Sequence, residues 1–191
     1  MLWSRLFGVC NTIMATVNLY PNGSGLNTFT LSTGSDVAAL VQDDHTNPIS
    51  FDGNYLSATA INKICYLNLD DFTEDHSSID GVQLVLRAGN DGRTQTYDIE
   101  TQLLPPIGGA YYTESTGTEN SNRYYLTHIF TNRTTTDGST AWSNIEIDGL
   151  RVYVKLDATS GGTFKFTQAY VIVTYTEPVV TDNAVFFGTN F

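Results

Sequence analysis

The 191-residue chain is long enough for one domain with a full hydrophobic core, and no linker divides it in two. Its charged residues, at 15%, fall below the usual share of about a quarter, and the formal net charge is −11. This balance argues against nucleic acid or an anionic membrane as a partner, because binding phosphate requires a surplus of Lys and Arg. No apolar run approaches the roughly 20 residues that span a bilayer.

Residues 1–25 are predicted to form an N-terminal arm. The apolar start is interrupted by Ser4 and Asn11, and it lacks the small-residue cleavage site of a signal peptide. The arm's candidate partner-binding residues are Trp3, Leu6 and Phe7. Such an arm is ordered only when it is tied down, so two interpretations stay open: it docks on its own domain, or it docks on a neighbouring subunit.

Residues 26–176 are predicted to form a β-sandwich domain. Turn signals rich in Gly, Asp, Asn and Pro recur at short intervals, and the segments between them alternate apolar with polar residues. This pattern is typical of an all-β sandwich or barrel, and we expect an antiparallel, jelly-roll-like two-sheet sandwich. The predicted strands are residues 29–32, 62–69, 82–88, 94–100, 124–130, 150–156 and 163–176. Segments 36–41 and 140–147 fit either a short helical turn or a strand.

Two of the turns predict hairpins. Residues 89–92 would join strand 82–88 to strand 94–100, and residues 160–162 would join strand 150–156 to strand 163–176. The length of the last strand predicts a bulge near Gln168, which would let one strand serve both sheets.

Residues 177–191 are predicted to form a C-terminal arm. Pro178 takes the chain out of the sheet. The arm's candidate partner-binding residues are Val185, Phe186, Phe187 and Phe191. Because exposed Phe side chains favour aggregation, we expect this arm to pack on another subunit.

The titratable residues show no catalytic, cofactor-binding or metal-binding pattern. His45, His76 and His128 have none of the spacings of a metal site, and His128 is expected to be a hydrogen-bonded structural residue. The acidic group at residues 70–75 does not match a calcium loop. We therefore expect no catalytic residue, no cofactor and no metal, and the protein is predicted not to be an enzyme.

The two cysteines, Cys10 and Cys65, are not expected to form a disulfide or a metal site. A reducing compartment fits this cysteine usage best.

Some aromatic residues could form a platform that stacks on sugar rings. They are Tyr111, Tyr112, Tyr124, Tyr125 and Trp142. Alternation along a strand predicts that one member of each Tyr pair belongs to the core instead.

Segments 79–88, 141–154 and 166–175 carry a resemblance to tailed-bacteriophage virion jelly-roll proteins, which extends over about residues 50–176. The resemblance implies a capsid decoration (cement) protein or a small tail or fibre component, with no catalytic residue to carry over. Our leading hypothesis is a structural virion protein, assembled in the host cytoplasm, that binds the major capsid protein or other virion subunits as a homo-oligomer, a dimer or trimer. The alternative is a carbohydrate-binding module or a receptor-binding protein on a tail fibre, and a glycan depolymerase ranks third.

Overall fold

Strands dominate the computed structural model, which describes residues 12–42, 53–106, 112–121, 123–136 and 138–179. The strands are β1 (Met14–Leu19), β2 (Pro21–Asn27), β3 (Thr30–Leu31), β4 (Leu56–Ala58), β5 (Lys63–Leu69), β6 (Ser78–Asn90), β7 (Tyr97–Leu104), β8 (Tyr112–Ser115), β9 (Tyr125–Ile129), β10 (Arg151–Thr159) and β11 (Phe164–Thr176). A 3-10 helix covers Ala39–Val41 and an α-helix, α1, covers Asn144–Asp148. None of the helices in these residues is long and apolar enough to cross a membrane.

The strands form two antiparallel sheets that pack face to face. The six-stranded sheet has the order β3-β4-β11-β6-β9, with β1 also paired to β11. The five-stranded sheet has the order β2-β5-β10-β7-β8. The predicted all-β, jelly-roll-like sandwich is therefore confirmed.

The core lies between the sheets because alternate residues of each strand are apolar and point inward. In β10, Val152, Val154 and Leu156 are fully buried, as their period-two spacing predicts. In β11 the buried residues change from even positions, such as Phe164 and Phe166, to odd positions from Ala169 onward. A bulge between Phe166 and Gln168 produces this change by adding one residue to the strand.

The bulge near Gln168 confirms the sequence prediction, but the expectation that it would take the strand into both sheets is wrong. β11 pairs with β6 along its length and with β4 and β1 on its other side, and all of these strands lie in the six-stranded sheet.

Both predicted hairpins are also wrong. β6 and β7 lie in different sheets, and so do β10 and β11. A turn signal predicts that the chain reverses, but it does not specify whether the next strand joins the same sheet. Here the two connections are tied to each other across the sandwich: Asn90 Nδ2 donates to the Gly161 carbonyl at 2.8 Å, and the Thr163 amide donates to Asp91 Oδ1 at 2.7 Å.

Residues 21–25, which contain Pro, Asn and Gly residues typical of a turn, are part of strand β2. β2 lies at the edge of the five-stranded sheet, where its Pro and Gly residues are tolerated, and its pairing with β5 is irregular. Of the expected N-terminal arm, residues 14–19 lie in β1 and residues 21–25 lie in β2. Residues 1–11 and 180–191, which include all the candidate partner-binding residues of the arms, lie outside the described residues.

The two ambiguous segments each contain a short helix. In the second segment, Ser143 and Glu146 form a capping box at the start of α1: the Ser143 amide donates to Glu146 Oε2 at 2.9 Å.

Candidate functional site

The outer face of the five-stranded sheet presents a set of side chains that the two-residue period turns away from the core. Those on its three central strands are exposed or half-buried. We call this surface the tyrosine face: Ile64, Tyr66 and Asn68 of β5, Arg151, Tyr153 and Lys155 of β10, and Asp98, Glu100 and Gln102 of β7.

Two tyrosines lie side by side at its centre. Tyr66 and Tyr153 are direct cross-strand partners, and their ring centroids are 5.1 Å apart with the planes tilted by 54°. On the β2 side, a Cβ added to Gly25 would lie 3.3 Å from the Tyr66 Cβ, so this neighbour is a residue without a side chain. Neither phenol has a hydrogen-bond partner within the described part of the chain, so both hydroxyls are available to a ligand.

A chain of polar groups runs beside the tyrosines. Gln102 is the cross-strand partner of Tyr153, and its Nε2 donates to Glu100 Oε1 at 3.3 Å. Lys155 Nζ donates to Glu100 Oε2 at 3.4 Å and to Asp157 Oδ1 at 2.6 Å. These contacts hold an amide, two carboxylates and an ammonium group in place next to the rings.

The electrostatics of the face suit hydrogen bonding. Burial raises the pKa of Tyr153, and the nearby Glu100 carboxylate raises that pKa further. The hydrogen bond to Asp157 is the main cause of the raised pKa of Lys155. At neutral pH the phenol is therefore a neutral donor and acceptor, and Lys155 is a charged donor.

Arg151 lies at one end of the tyrosine face. It is exposed, its cross-strand partner on β5 is Asn68, and it stands two residues before Tyr153 on the same strand. The guanidinium has no ion pair within the described residues.

The sugar platform predicted from the sequence is not brought together. Trp142 is buried and its Nε1 donates to the Arg133 carbonyl at 2.8 Å. The Tyr112 hydroxyl donates to the Thr135 carbonyl at 2.7 Å, and Tyr125 is buried, while Tyr124 is exposed. Tyr111 lies outside the described residues. Trp142 and Tyr125 thus serve the packing of the sandwich.

Sequence reasoning missed Tyr66 and Tyr153 as a site. Both tyrosines alternate with buried neighbours, Cys65 and Val152, and therefore point away from the core. Their pairing depends on the register of β5 with β10, and no local pattern in the sequence predicts that register.

His128 lies on β9, an edge strand of the six-stranded sheet, and is a structural residue, as expected. Its Nε2 is 2.9 Å from the hydroxyl of the buried Tyr97, which donates to the Ala88 carbonyl at 3.2 Å. Burial lowers the pKa of His128 to about 4, so the imidazole is neutral at physiological pH. His45 lies outside the described residues.

The His, Cys, Asp and Glu residues of the described ranges are scattered rather than grouped as metal ligands. No cluster of three or more His, Cys, Asp or Glu in those residues could hold a metal ion. Cys65 is a buried free thiol whose pKa is raised to about 12 by burial. Cys10 lies outside the described residues.

No protein-family model and no curated protein sequence matches the chain. Solved structures similar to it include the CBM22-1 xylan-binding domain from Paenibacillus barcinonensis Xyn10C, with 12% identity and a TM-score of 0.40 over 82% of this chain and 92% of that one. The CBM35 from Cellvibrio japonicus Abf62 has 10% identity and a TM-score of 0.40 over 86% of this chain and 99% of that one. The enzymatically active domain of bacteriophage CBA120 tailspike protein 4 has 12% identity and a TM-score of 0.36 over 87% of this chain and 20% of that one. At this identity the likeness concerns the β-sandwich fold alone.

Proposed function

We propose that this protein is a non-enzymatic binding domain that recognises carbohydrate through its tyrosine face. The observation that carries the proposal is the Tyr66–Tyr153 pair, two half-buried rings 5.1 Å apart on an outer sheet face. A tyrosine ring offers an apolar surface for the C–H groups of a sugar ring and a hydroxyl for its polar edge. Tyrosine also loses little conformational entropy when it is ordered by a ligand.

The polar groups around the pair support the same ligand class. Gln102, Lys155 and Glu100 supply donors and acceptors that are already positioned by their mutual contacts. A few fixed polar groups beside an aromatic surface determine the orientation of a bound molecule. Both carboxylates next to Lys155 are engaged with its ammonium group, an arrangement that positions a ligand rather than transfers a proton.

A glycan array followed by calorimetry tests the proposal. We expect the wild-type protein to bind a defined group of glycans, and Tyr66→Ala with Tyr153→Ala to weaken that binding at least tenfold, about 1.4 kcal/mol. Tyr20→Ala with Tyr170→Ala is the matched control, because this second pair, 5.7 Å apart, involves a strand of the other sheet. A folded Tyr66/Tyr153 variant with unchanged affinity, or a wild-type protein that binds no glycan, would contradict the proposal.

A second candidate function is that of a structural virion protein whose two arms bind the major capsid protein or other virion subunits. One observation favours it: the Glu177 amide donates to the Ile13 carbonyl at 2.9 Å, so the chain enters and leaves the sandwich at the same place. Around this point Ile13, Met14 and Val179 are 55%, 65% and 46% exposed. Two apolar arms that start together can form one combined contact with a neighbouring subunit.

Truncation tests the virion hypothesis. Removal of residues 180–191 should release the protein from particles or abolish its homo-oligomer, while the sandwich stays folded. Sedimentation of the truncated chain, alone and mixed with capsid shells, measures both effects. Full occupancy on shells without residues 180–191 would exclude this arm as the anchor.

A further inference from the structure

Arg151 differs from three basic residues of this acidic protein whose side chains lie within 4.0 Å of a carboxylate. Arg133 pairs with Glu114, Lys155 pairs with Glu100 and Asp157, and the Lys165 ammonium is 4.0 Å from Asp91. Arg151 is exposed on the tyrosine face and has no carboxylate partner in the part of the chain that the structure describes. A guanidinium left unpaired beside an aromatic pair is available for an anionic ligand.

The position of Arg151 joins it to the tyrosine pair. Residues two apart on a strand point to the same face about 7 Å from each other, which places Arg151 within reach of a ligand on Tyr153. Asn68 is its cross-strand partner on β5. Beyond Asn68 lies its β2 partner Gly23, where an added Cβ would be 3.5 Å from Asn68 Nδ2, so the residue at this position has no side chain. Arg151 and Asn68 thus occupy the register positions next to the Tyr153–Tyr66 pair on the same face of the sheet.

Arg151 and the negative side chains of the tyrosine face lie on opposite sides of the tyrosine pair. Arg151 and Asn68 lie on one side of the tyrosine row, while Glu100, Asp98 and Asp157 lie on the other side with Lys155 among them. A ligand carboxylate would be repelled by the acidic side and attracted by the guanidinium. The division therefore fixes the direction in which an acidic sugar lies on the face.

We propose that the ligand of the tyrosine face is an acidic glycan whose sugar carboxylate pairs with Arg151 while its ring packs on Tyr66 and Tyr153. The inference rests on the proposed carbohydrate-binding function. The planar guanidinium matches a carboxylate through two parallel N–H···O bonds, and such charge-assisted bonds are stronger than neutral ones. The net charge of −11 opposes the approach of a polyanion. At physiological salt that repulsion is largely screened beyond about 8 Å, whereas the shorter direct contact with Arg151 is screened less.

The test compares an oligosaccharide of uronic acids with its carboxyl-reduced, neutral counterpart of the same linkage. Calorimetry at physiological salt should give at least tenfold tighter binding of the acidic form. Arg151→Gln should remove that difference by weakening the binding of the acidic form, and Arg151→Lys should restore part of it. Arg93→Gln is the matched control, because it removes an exposed cation outside the tyrosine face.

The outcomes separate this inference from the function on which it rests. Equal binding of both forms, or an acid preference that survives in Arg151→Gln, overturns the inference and leaves carbohydrate binding in place. An oligosaccharide that carries sulfate groups in place of carboxylates and binds as tightly as the uronate overturns the assignment of a carboxylate. Binding of neither form overturns the inference, and failure on the whole glycan array overturns carbohydrate binding as well.

Discussion

The protein should lose stability as the pH falls below 6.5, and His128 should cause a measurable part of that loss. Burial lowers the pKa of His128 from 6.5 to about 4. The unfolded chain therefore takes up this proton as the pH falls through 6.5, while the folded protein resists until about pH 4. Because the unfolded state binds more protons in that window, the free energy of unfolding decreases as the pH falls. The neutral His128 therefore makes its full contribution to stability only above pH 6.5.

The size of the effect follows from the two pKa values. The titration of His128 makes the free energy of unfolding about 2 kcal/mol lower at pH 5 than at pH 7.5. The full difference between the two pKa values corresponds to about 3 kcal/mol. Other groups also titrate in this range, so the relevant quantity is the difference between the wild-type protein and His128→Gln.

Urea denaturation at pH 7.5 and pH 5.0 measures this difference. The wild-type protein should lose about 2 kcal/mol more than His128→Gln between the two pH values. Equal losses in the wild-type protein and in His128→Gln would refute the reasoning.

Two further predictions concern the thiol and the connection after β10. Burial raises the pKa of Cys65 to about 12, so in a Cys10→Ser background a thiol reagent should label the protein only after it unfolds. Rapid labelling of the native protein would contradict the buried position. Gly162 has φ +72° and an added Cβ would lie 2.4 Å from Asn90 Oδ1, so Gly162→Ala should cost about 2–3 kcal/mol in urea denaturation. Gly117→Ala, with φ +68° and open space around the Cβ, should cost only about 1 kcal/mol, and equal losses in both variants would mean that the contact with Asn90 does not matter.

The sequence predicted the parts of the fold that depend on local alternation. The inward set of β10, from Val152 to Leu156, follows from its period of two, and the bulge near Gln168 follows from the length of β11. Strand β2 was missed because Pro21 and its glycines favour a turn locally, whereas at a sheet edge they are compatible with pairing.

The parts that depend on non-local choices were not predictable in this way. The turn residues after β6 and β10 predict hairpins. In the structure each connection instead joins strands of different sheets, and hydrogen bonds such as Asn90 to Gly161 link the two connections. The candidate site has the same origin: Tyr66 and Tyr153 are unremarkable alone, and only the register of two distant segments makes them neighbours.

The central claim is that carbohydrate binds on the outer face of the five-stranded sheet. Amide chemical-shift mapping by NMR, during titration with an acidic oligosaccharide, locates the ligand directly. The account predicts that the shifts concentrate in β5, β10 and β7, around Tyr66, Tyr153 and Arg151. Shifts confined to the six-stranded sheet or to the edge strand β8 would contradict it.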